Sequence, residues 1–385
     1  MNDVAERTWT IDGHRLTLLP DGPDRLDALI RLIDGARASL RILYYIFEDD
    51  AAGTRVRDAL VAAGARGVAV SLLVDGFGSG GAPAGFFAPL TESRGVICRY
   101  EPRWGRRYLL RNHQKMAIAD ETQVLIGGFN VADDYFGTVE AGAWRDLGLL
   151  VEGSAAARIA AYFDALIEWT QRPRSKVRDL GRILRAHSEN QGALRWLHAG
   201  PTRRLSPWAR TVSREIRRAR SLHMIAAYFG PTPPMLRRIG RAAGRGPAQL
   251  ITAAKSDNGA TIGAARFTYG LLLRRGVEVW EYQPTKLHTK LVVIDDAVHI
   301  GSANFDIRSV YLNLEVMLRV EDRAFADGMR AFFAGERAKC ERITPELHRR
   351  RATLWTRITW AASRFIVATM DYNVSRRLNF GLNGR

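Results

Sequence analysis

Two histidines in this sequence keep the same company. His113 is followed by Lys115 and Asp120, and His288 by Lys290 and Asp295, so the pattern H-x-K-x4-D occurs twice. Each copy opens an apolar run, HQKMAIAD at 113–120 and HTKLVVIDD at 288–296, of the kind that forms a buried strand. Residues i and i+2 of a strand share a face, so each imidazole is expected to point the same way as its ammonium. Two such strands side by side would gather two imidazoles and two ammoniums around one small volume. That volume suits a phosphodiester. One imidazole attacks phosphorus, the other protonates the leaving oxygen, and the lysines neutralise the non-bridging oxygens. Asp120 and Asp295 complete the catalytic motif, where their place at the strand ends reads as structural support.

A second polar segment follows each motif: Gly127-Gly128-Phe129-Asn130 in one copy and Gly301-Ser302-Ala303-Asn304 in the other. Glycine permits close backbone approach to a ligand, and an amide or hydroxyl can donate to phosphate oxygen. Asn130, Ser302 and Asn304 are therefore the candidate phosphate-binding residues. Further on, Asp146 and Glu315 could each accept the second ring hydrogen of a catalytic histidine and fix its tautomer. A lone H-x-K, or a glycine and an Asn after a strand, is usually inert or a plain turn. The paired occurrence argues for function. His299 alternates within an apolar run and reads as a core or edge residue. His14, His187, His198, His223 and His348 lack catalytic partners. No cluster has metal-ligand spacing, so neither a metal nor another cofactor is expected.

These residues need a scaffold, and the flanking sequence repeats one. The first half reads strand (40–48), helix (54–66), strand (68–76), helix, strand (96–102). The second reads strand (222–231), helix (233–244), strand (248–254), helix (259–275), strand (277–284). Each series ends in two adjacent strands carrying the motif. Continuous apolar runs point to strands covered on both faces. The expectation is an α/β protein of two pseudo-symmetric domains, each an α-β-α sandwich, with the site between them. Residues 1–180 form the first domain, 181–205 a basic linker rich in Arg and Pro, 206–345 the second domain, and 346–385 a basic amphipathic tail.

The chain has 385 residues, with 57 Lys plus Arg against 40 Asp plus Glu, a net charge of +17. That length accommodates two sizeable cores. The charge calls for an anionic partner, either nucleic acid or an acidic bilayer surface. Cys98 and Cys340 are too far apart in sequence to suggest a disulfide framework, which fits a reducing compartment. The N-terminal residues read as neither a secretory signal nor a transit peptide, and no apolar stretch is long enough to span a bilayer.

With both motifs in place, the sequence resembles the phospholipase D superfamily, whose signature is a duplicated H-x-K-x4-D with a downstream G-[GS]-x-N. The likeness runs from about residue 25 to 340. It is most similar to bacterial cardiolipin synthases, through YYIFEDD (44–50), LLVDGFGS (72–79), RNHQKMAIAD (111–120), GGFNVADDY (127–135), WRDLGL (144–149), AAYFGP (226–231), KLHTKLVVID (286–295) and GSANFDIRS (301–309). The resemblance implies a double displacement through a covalent phosphohistidine, with His113 as nucleophile and His288 as acid–base. It implies that Lys115, Lys290, Asn130 and Asn304 line the phosphate site, and that Asp146 and Glu315 orient the histidines. One departure is the interval from the motif Asp to the next Gly. It is a residue shorter in the second copy, Asp295 to Gly301 against Asp120 to Gly127.

Members of this superfamily also cut nucleic acid, so the basic charge keeps that alternative open, beside simple hydrolysis to phosphatidic acid. Three features favour lipid. RWGRRYLLRN (103–112) mixes arginines with Trp104, Tyr108, Leu109 and Leu110, as an interfacial loop does. In the tail, Leu354, Ile358, Ala361 and Phe365 recur at helical spacing beside Trp355, Ala362 and Ile366, with Arg357 and Arg364 on another face. That stripe fits a helix in the headgroup region or one packed on the protein's own core. The pairs Tyr44-Tyr45 and Tyr228-Phe229 offer aromatic bodies near the cleft or core filler. The expected partners are an anionic phospholipid, phosphatidylglycerol above all, and a membrane surface, with no nucleic acid. The expected place is peripheral, on the cytoplasmic face of the membrane.

Overall fold

The computed structural model describes residues 7–101, 110–202 and 205–367. Residues 103–109 of the basic aromatic segment and the tail beyond 367 lie outside them.

The first half carries strands β1 (Thr8–Ile11), β2 (His14–Leu19), β3 (Ser39–Tyr44), β4 (Ala69–Asp75), β5 (Val96–Tyr100), β6 (Met116–Ala119), β7 (Gln123–Gly127) and β8 (Gly148–Glu152). They make one sheet, in the order β1-β2-β8-β7-β6-β3-β4-β5. Its helices are α1 (Gly22–Gly35), α2 (Ala51–Ala65), α3 (Ala88–Glu92), α4 (Asp133–Phe136), α5 (Ala155–Gln171) and α6 (Val177–Ala186). The second half carries β9 (Leu194–Ala199), β10 (Leu222–Ala226), β11 (Phe229–Gly230), β12 (Ala248–Ala253), β13 (Glu278–Tyr282), β14 (Lys290–Ile294), β15 (Ala297–Gly301), β16 (Phe305–Asp306), β17 (Glu315–Glu321) and β18 (Cys340–Ile343). Its main sheet runs β18-β13-β12-β10-β14-β15-β17-β9, and β11 pairs with β16 apart from it. Its helices are α7 (Pro207–Arg218), α8 (Pro233–Ala242), α9 (Gly259–Arg274), α10 (Ile307–Tyr311), α11 (Arg323–Arg337), α12 (Pro345–Arg351) and α13 (Leu354–Phe365).

The duplication covers seven strands of each sheet, with β1 and β18 added at opposite edges. β3, β4 and β5 are parallel neighbours, as are β10, β12 and β13. The antiparallel run β3-β6-β7-β8 matches β10-β14-β15-β17. Beside β8 lies β2, and beside β17 lies β9, both antiparallel. The second unit therefore opens at β9. Residues 181–205, expected to be linker, hold the end of α6 and this edge strand. Its apolar residues Leu194, Trp196 and Leu197 are buried, and the Arg- and Pro-rich flanks conceal it in a reading by composition.

Strands covered on both faces supply residues to two cores each. In β3, Leu40 and Ile42 face a core made with α1 and α2, while Leu43 faces another. That other core is shared. It joins the inner faces of both sheets through α5, α6 and α11, with Ile118 and Leu149 from one sheet and Leu291 and Leu318 from the other. A third core lies between the second sheet and α7, α8 and α9. The two expected sandwiches thus share their middle helical layer.

Candidate active site

The motif histidines stand just before strands rather than on them, because β6 opens at Met116 and β14 at Lys290. Each lead-in is held extended by the opposite half. The His113 amide donates to the Leu314 carbonyl at 3.0 Å, and the Leu314 amide to the Arg111 carbonyl at 2.9 Å. The His288 amide donates to the Arg145 carbonyl at 2.7 Å, and the Arg145 amide to the Lys286 carbonyl at 2.8 Å. Those partners lie in the segments that carry Glu315 and Asp146. Backbone pairing therefore sets each histidine beside an acid of the other half.

Side chains complete the crossing. His113 Nδ1 lies 3.1 Å from Glu315 Oε2, and His288 Nδ1 lies 2.6 Å from Asp146 Oδ2. Both carboxylates are fully buried. Asp146 is braced by the Leu147 amide at 2.7 Å, and its carbonyl accepts from the buried Arg25 guanidinium at 2.8 Å. Glu315 accepts from the Ser302 hydroxyl at 2.6 Å. Ser302, expected on the phosphate, is thus committed to the carboxylate behind the histidine and does not line the cleft. With Nδ1 of each ring facing a carboxylate, and Lys290 Nζ also 2.6 Å from Nδ1 of His288, Nε2 is the nitrogen left to meet a substrate.

Both lysines also differ from expectation. Lys115 Nζ donates to the His113 carbonyl at 2.6 Å, and Lys290 Nζ donates to the His288 carbonyl. Both sit behind the histidines, buried, and outside the lining of the cleft. Their effect there is electrostatic. Burial, then the charges of Lys115 and Lys290, hold the His113 imidazole well below its ordinary pKa. Burial and Lys290 push His288 down to about 3. The acids diverge. Burial drives Glu315 up to about 8, with Lys115 only partly offsetting it. For Asp146 burial is outweighed by Lys290 and His288, and the carboxyl stays below its usual range.

His113 and His288 line one cavity of about 750 Å³. Asn130 and Asn304 line it too. Asn130 is anchored, its Nδ2 donating to Tyr135 Oη at 2.9 Å and its Oδ1 accepting from the Ile46 amide at 3.2 Å. The Asn304 Oδ1 is buried without a hydrogen-bond partner. The one-residue difference between copies is absorbed before these residues. β6 and β7 are joined by 120–122 and β14 and β15 by 295–296, and both hairpins return in register.

The glycines serve the protein's own chain, not a ligand. A Cβ on Gly128 would sit 2.5 Å from Asp146 Oδ1, and one on Gly301 would sit 2.2 Å from the Val316 carbonyl oxygen. Asp120 and Asp295 stand at the far ends of their strands and do not line the cleft. Asp120 accepts from the amides of Arg37, Ala38 and Ser39, each at 2.8 Å. Asp295 accepts from Arg220 and Ser221 at 2.9 and 2.8 Å. Each ties the motif hairpin to the start of the neighbouring central strand.

Residues 29–167 and 212–336 match the family model described as cardiolipin synthase, phospholipase D-like domain. The chain belongs to this family. It is 28% identical over 379 residues to a cardiolipin synthase of Listeria monocytogenes serotype 4a (strain HCC23), covering 95% of this chain and 77% of that one. It is also 28% identical over 382 residues to the major cardiolipin synthase of Bacillus subtilis (strain 168), with the same coverage. Its fold is like that of a phosphatidylserine synthase from Haemophilus influenzae Rd KW20, with TM-score 0.69, 14% identity and coverage of 91% and 94% of the two chains. A polyphosphate kinase from Porphyromonas gingivalis shares it at TM-score 0.56 and 18% identity, covering 88% of this chain and 49% of that one.

Within this family member the sequence reading missed several cleft residues. The aromatic pairs divide: Tyr44 and Phe229 are core, whereas Tyr45 and Tyr228 line the cavity. Tyr45 packs on His113 at 4.9 Å between centroids, and Tyr135 and Trp144 both pack edge-on around His288 at 5.2 and 5.4 Å. Arg111, Arg308, Asp257 and Asn313 also line it. Arg111 and Arg308 lie within RNHQKMAIAD and GSANFDIRS, but no spacing marks them or Asp257 and Asn313 as cleft residues, because only the fold brings the four together. Among the described residues no helix is long and apolar enough to cross a membrane.

Proposed function

We propose that this protein is a phosphatidyltransferase that makes cardiolipin from phosphatidylglycerol at the cytoplasmic membrane surface. The observation that carries the reading is the pair of imidazoles on one cavity, each tied through Nδ1 to a carboxylate of the opposite half. The family relationship over most of the chain supports the lipid class of substrate.

The steps follow from that arrangement. Nε2 of His113 attacks phosphorus of one phosphatidylglycerol, and the bond from phosphorus to the headgroup glycerol oxygen breaks. His288, as imidazolium, gives that oxygen its proton. A second phosphatidylglycerol then presents a hydroxyl, and neutral His288 takes its proton. The new phosphorus–oxygen bond forms as the nitrogen–phosphorus bond breaks, and the products are cardiolipin and glycerol. Asn130 and Asn304 donate to the phosphate oxygens. Lys115 and Lys290 act on its charge from behind the histidines.

Purified protein incubated with phosphatidylglycerol vesicles, followed by lipid mass analysis, tests this. Cardiolipin and free glycerol are expected, unchanged by EDTA and absent with His113→Ala. Phosphatidic acid alone would make the protein a hydrolase. Cleavage of DNA with no lipid product would overturn the reading.

A further inference from the structure

The tail helix α13 shows an inversion. Its apolar stripe faces solvent. Leu354, Trp355, Ile358, Phe365 and Ile366 are between 50% and 77% exposed, and they are five of the eight exposed large apolar side chains among the described residues. At about 100° per residue they fall within an arc of roughly 120°. Trp360, on the opposite side, is the helix's buried residue.

The helix is seated, so this display is not looseness. Thr353 caps it by accepting from the Thr356 amide at 3.3 Å. Trp360 stacks on His348 with centroids 5.5 Å apart. Ser363 fits against Gly263 of α9, where a Cβ would lie 2.5 Å from its hydroxyl. Arg364 donates to the Pro231 carbonyl at 2.6 Å. The packed face thus holds the apolar face outward.

Two further observations give that face a partner. Ile366 is both part of the exposed stripe and, with Val367, part of the cavity wall that also holds His113 and His288. Phe77, another wall residue, is 63% exposed, and the Arg111 guanidinium lies 4.2 Å over its ring. The mouth of the cleft therefore carries exposed apolar side chains from α13 and from the loop after β4. The charge is also one-sided: residues 344–367 hold five arginines and one glutamate, with Arg349, Arg350 and Arg357 exposed.

We infer that α13 is a docking helix whose outer face lies in the headgroup region of an anionic bilayer and sets the cleft mouth against it. Apolar side chains enter the acyl boundary, arginines meet lipid phosphates, and substrate reaches the histidines along a continuous apolar wall. The inference rests on the reading of the cleft as a lipid site.

The test compares the full chain with the triple variant Leu354→Ser, Trp355→Ser, Ile358→Ser, none of which lines the cleft. Flotation uses vesicles of phosphatidylcholine alone or with roughly a third phosphatidylglycerol. Turnover is measured on those vesicles and on short-chain phosphatidylglycerol dispersed as monomers. The wild type is expected to float with anionic vesicles. The variant should bind them at least about tenfold more weakly and lose vesicle turnover to match, while turnover of monomers stays unchanged. A second variant, Arg349→Glu with Arg350→Glu and Arg357→Glu, should lose the preference for anionic vesicles. Wild-type flotation by both variants would overturn the inference. So would a wild-type dimer that the serine variant dissolves, since a second copy would then cover the face. Flotation without turnover of any phosphatidylglycerol would sink the proposed reaction and leave docking standing; turnover of monomers without flotation would do the reverse.

Discussion

At the scale of single residues, the site is poised by opposing charges in a buried place. Burial and Lys290 hold His288 neutral down to about pH 3. An imidazole in that state cannot protonate a leaving glycerol at neutral pH. The phosphodiester itself supplies what is lacking, because an anion beside the ring favours imidazolium. Binding an anion such as orthovanadate near pH 7 should therefore take up about one proton, and affinity should rise as pH falls. Calorimetry in buffers of different ionisation enthalpy reads the uptake. His288→Asn should bind with no uptake, and a wild type that binds without uptake would contradict this account. The divergence of Asp146 and Glu315 belongs to the same scale: burial pushes Glu315 up, while Lys290 and His288 outweigh burial at Asp146.

At the scale of elements, the connections between strands do the positioning. Arg145 is the clearest case. Its guanidinium makes a bidentate pair with Glu336 of α11, at 3.0 and 2.7 Å, while its backbone pairs with the segment before β14. Both side chains are buried, and each keeps a second ionic partner, with Asp21 3.0 Å from Arg145 and Lys339 3.2 Å from Glu336. Arg145→Met, which leaves Glu336 with Lys339 alone, should cost about 1.5–3 kcal/mol in denaturant unfolding. A loss below about 1 kcal/mol would mean that water replaces the pair. The motif hairpins are pinned more gently. Burial nudges the Asp120 carboxyl upward, but the amides of Ser39, Arg37 and Ala38 outweigh it and keep it below its ordinary value. Its contribution is present above the unfolded pKa and lost as pH falls through the lower folded one. Asp120→Ala should cost about 1–2 kcal/mol at pH 7, discounted for exposure, and distinctly less in strong acid. A deficit independent of pH would show that the charge is not what matters.

At the scale of the whole molecule, the two halves are not independent bodies. They share one core through α5, α6 and α11, and each supplies the acid for the other's histidine. Thermal unfolding should be a single transition, with calorimetric and van't Hoff enthalpies equal. Two resolved transitions would mean that the shared layer separates before either sheet melts. The same interlocking explains why the cleft residues Tyr45, Arg111, Tyr228 and Arg308 come from separate segments of both halves.

Much of this was legible in the residues alone. The doubled motif identified both histidines, and the apolar runs located the central strands, because a strand buried on both faces leaves a local signature. Asp146 and Glu315 could be named as partners by type. Which acid serves which histidine could not, since that pairing depends on segments far apart in sequence meeting backbone to backbone. The edge strand β9 escaped because arginines and prolines flank it, and a strand's membership in a sheet is decided by its neighbour β17. The tail showed its amphipathic period but not its orientation, because periodicity defines a face and only packing, here Trp360 and Ser363 against α9 and His348, decides which face is turned outward.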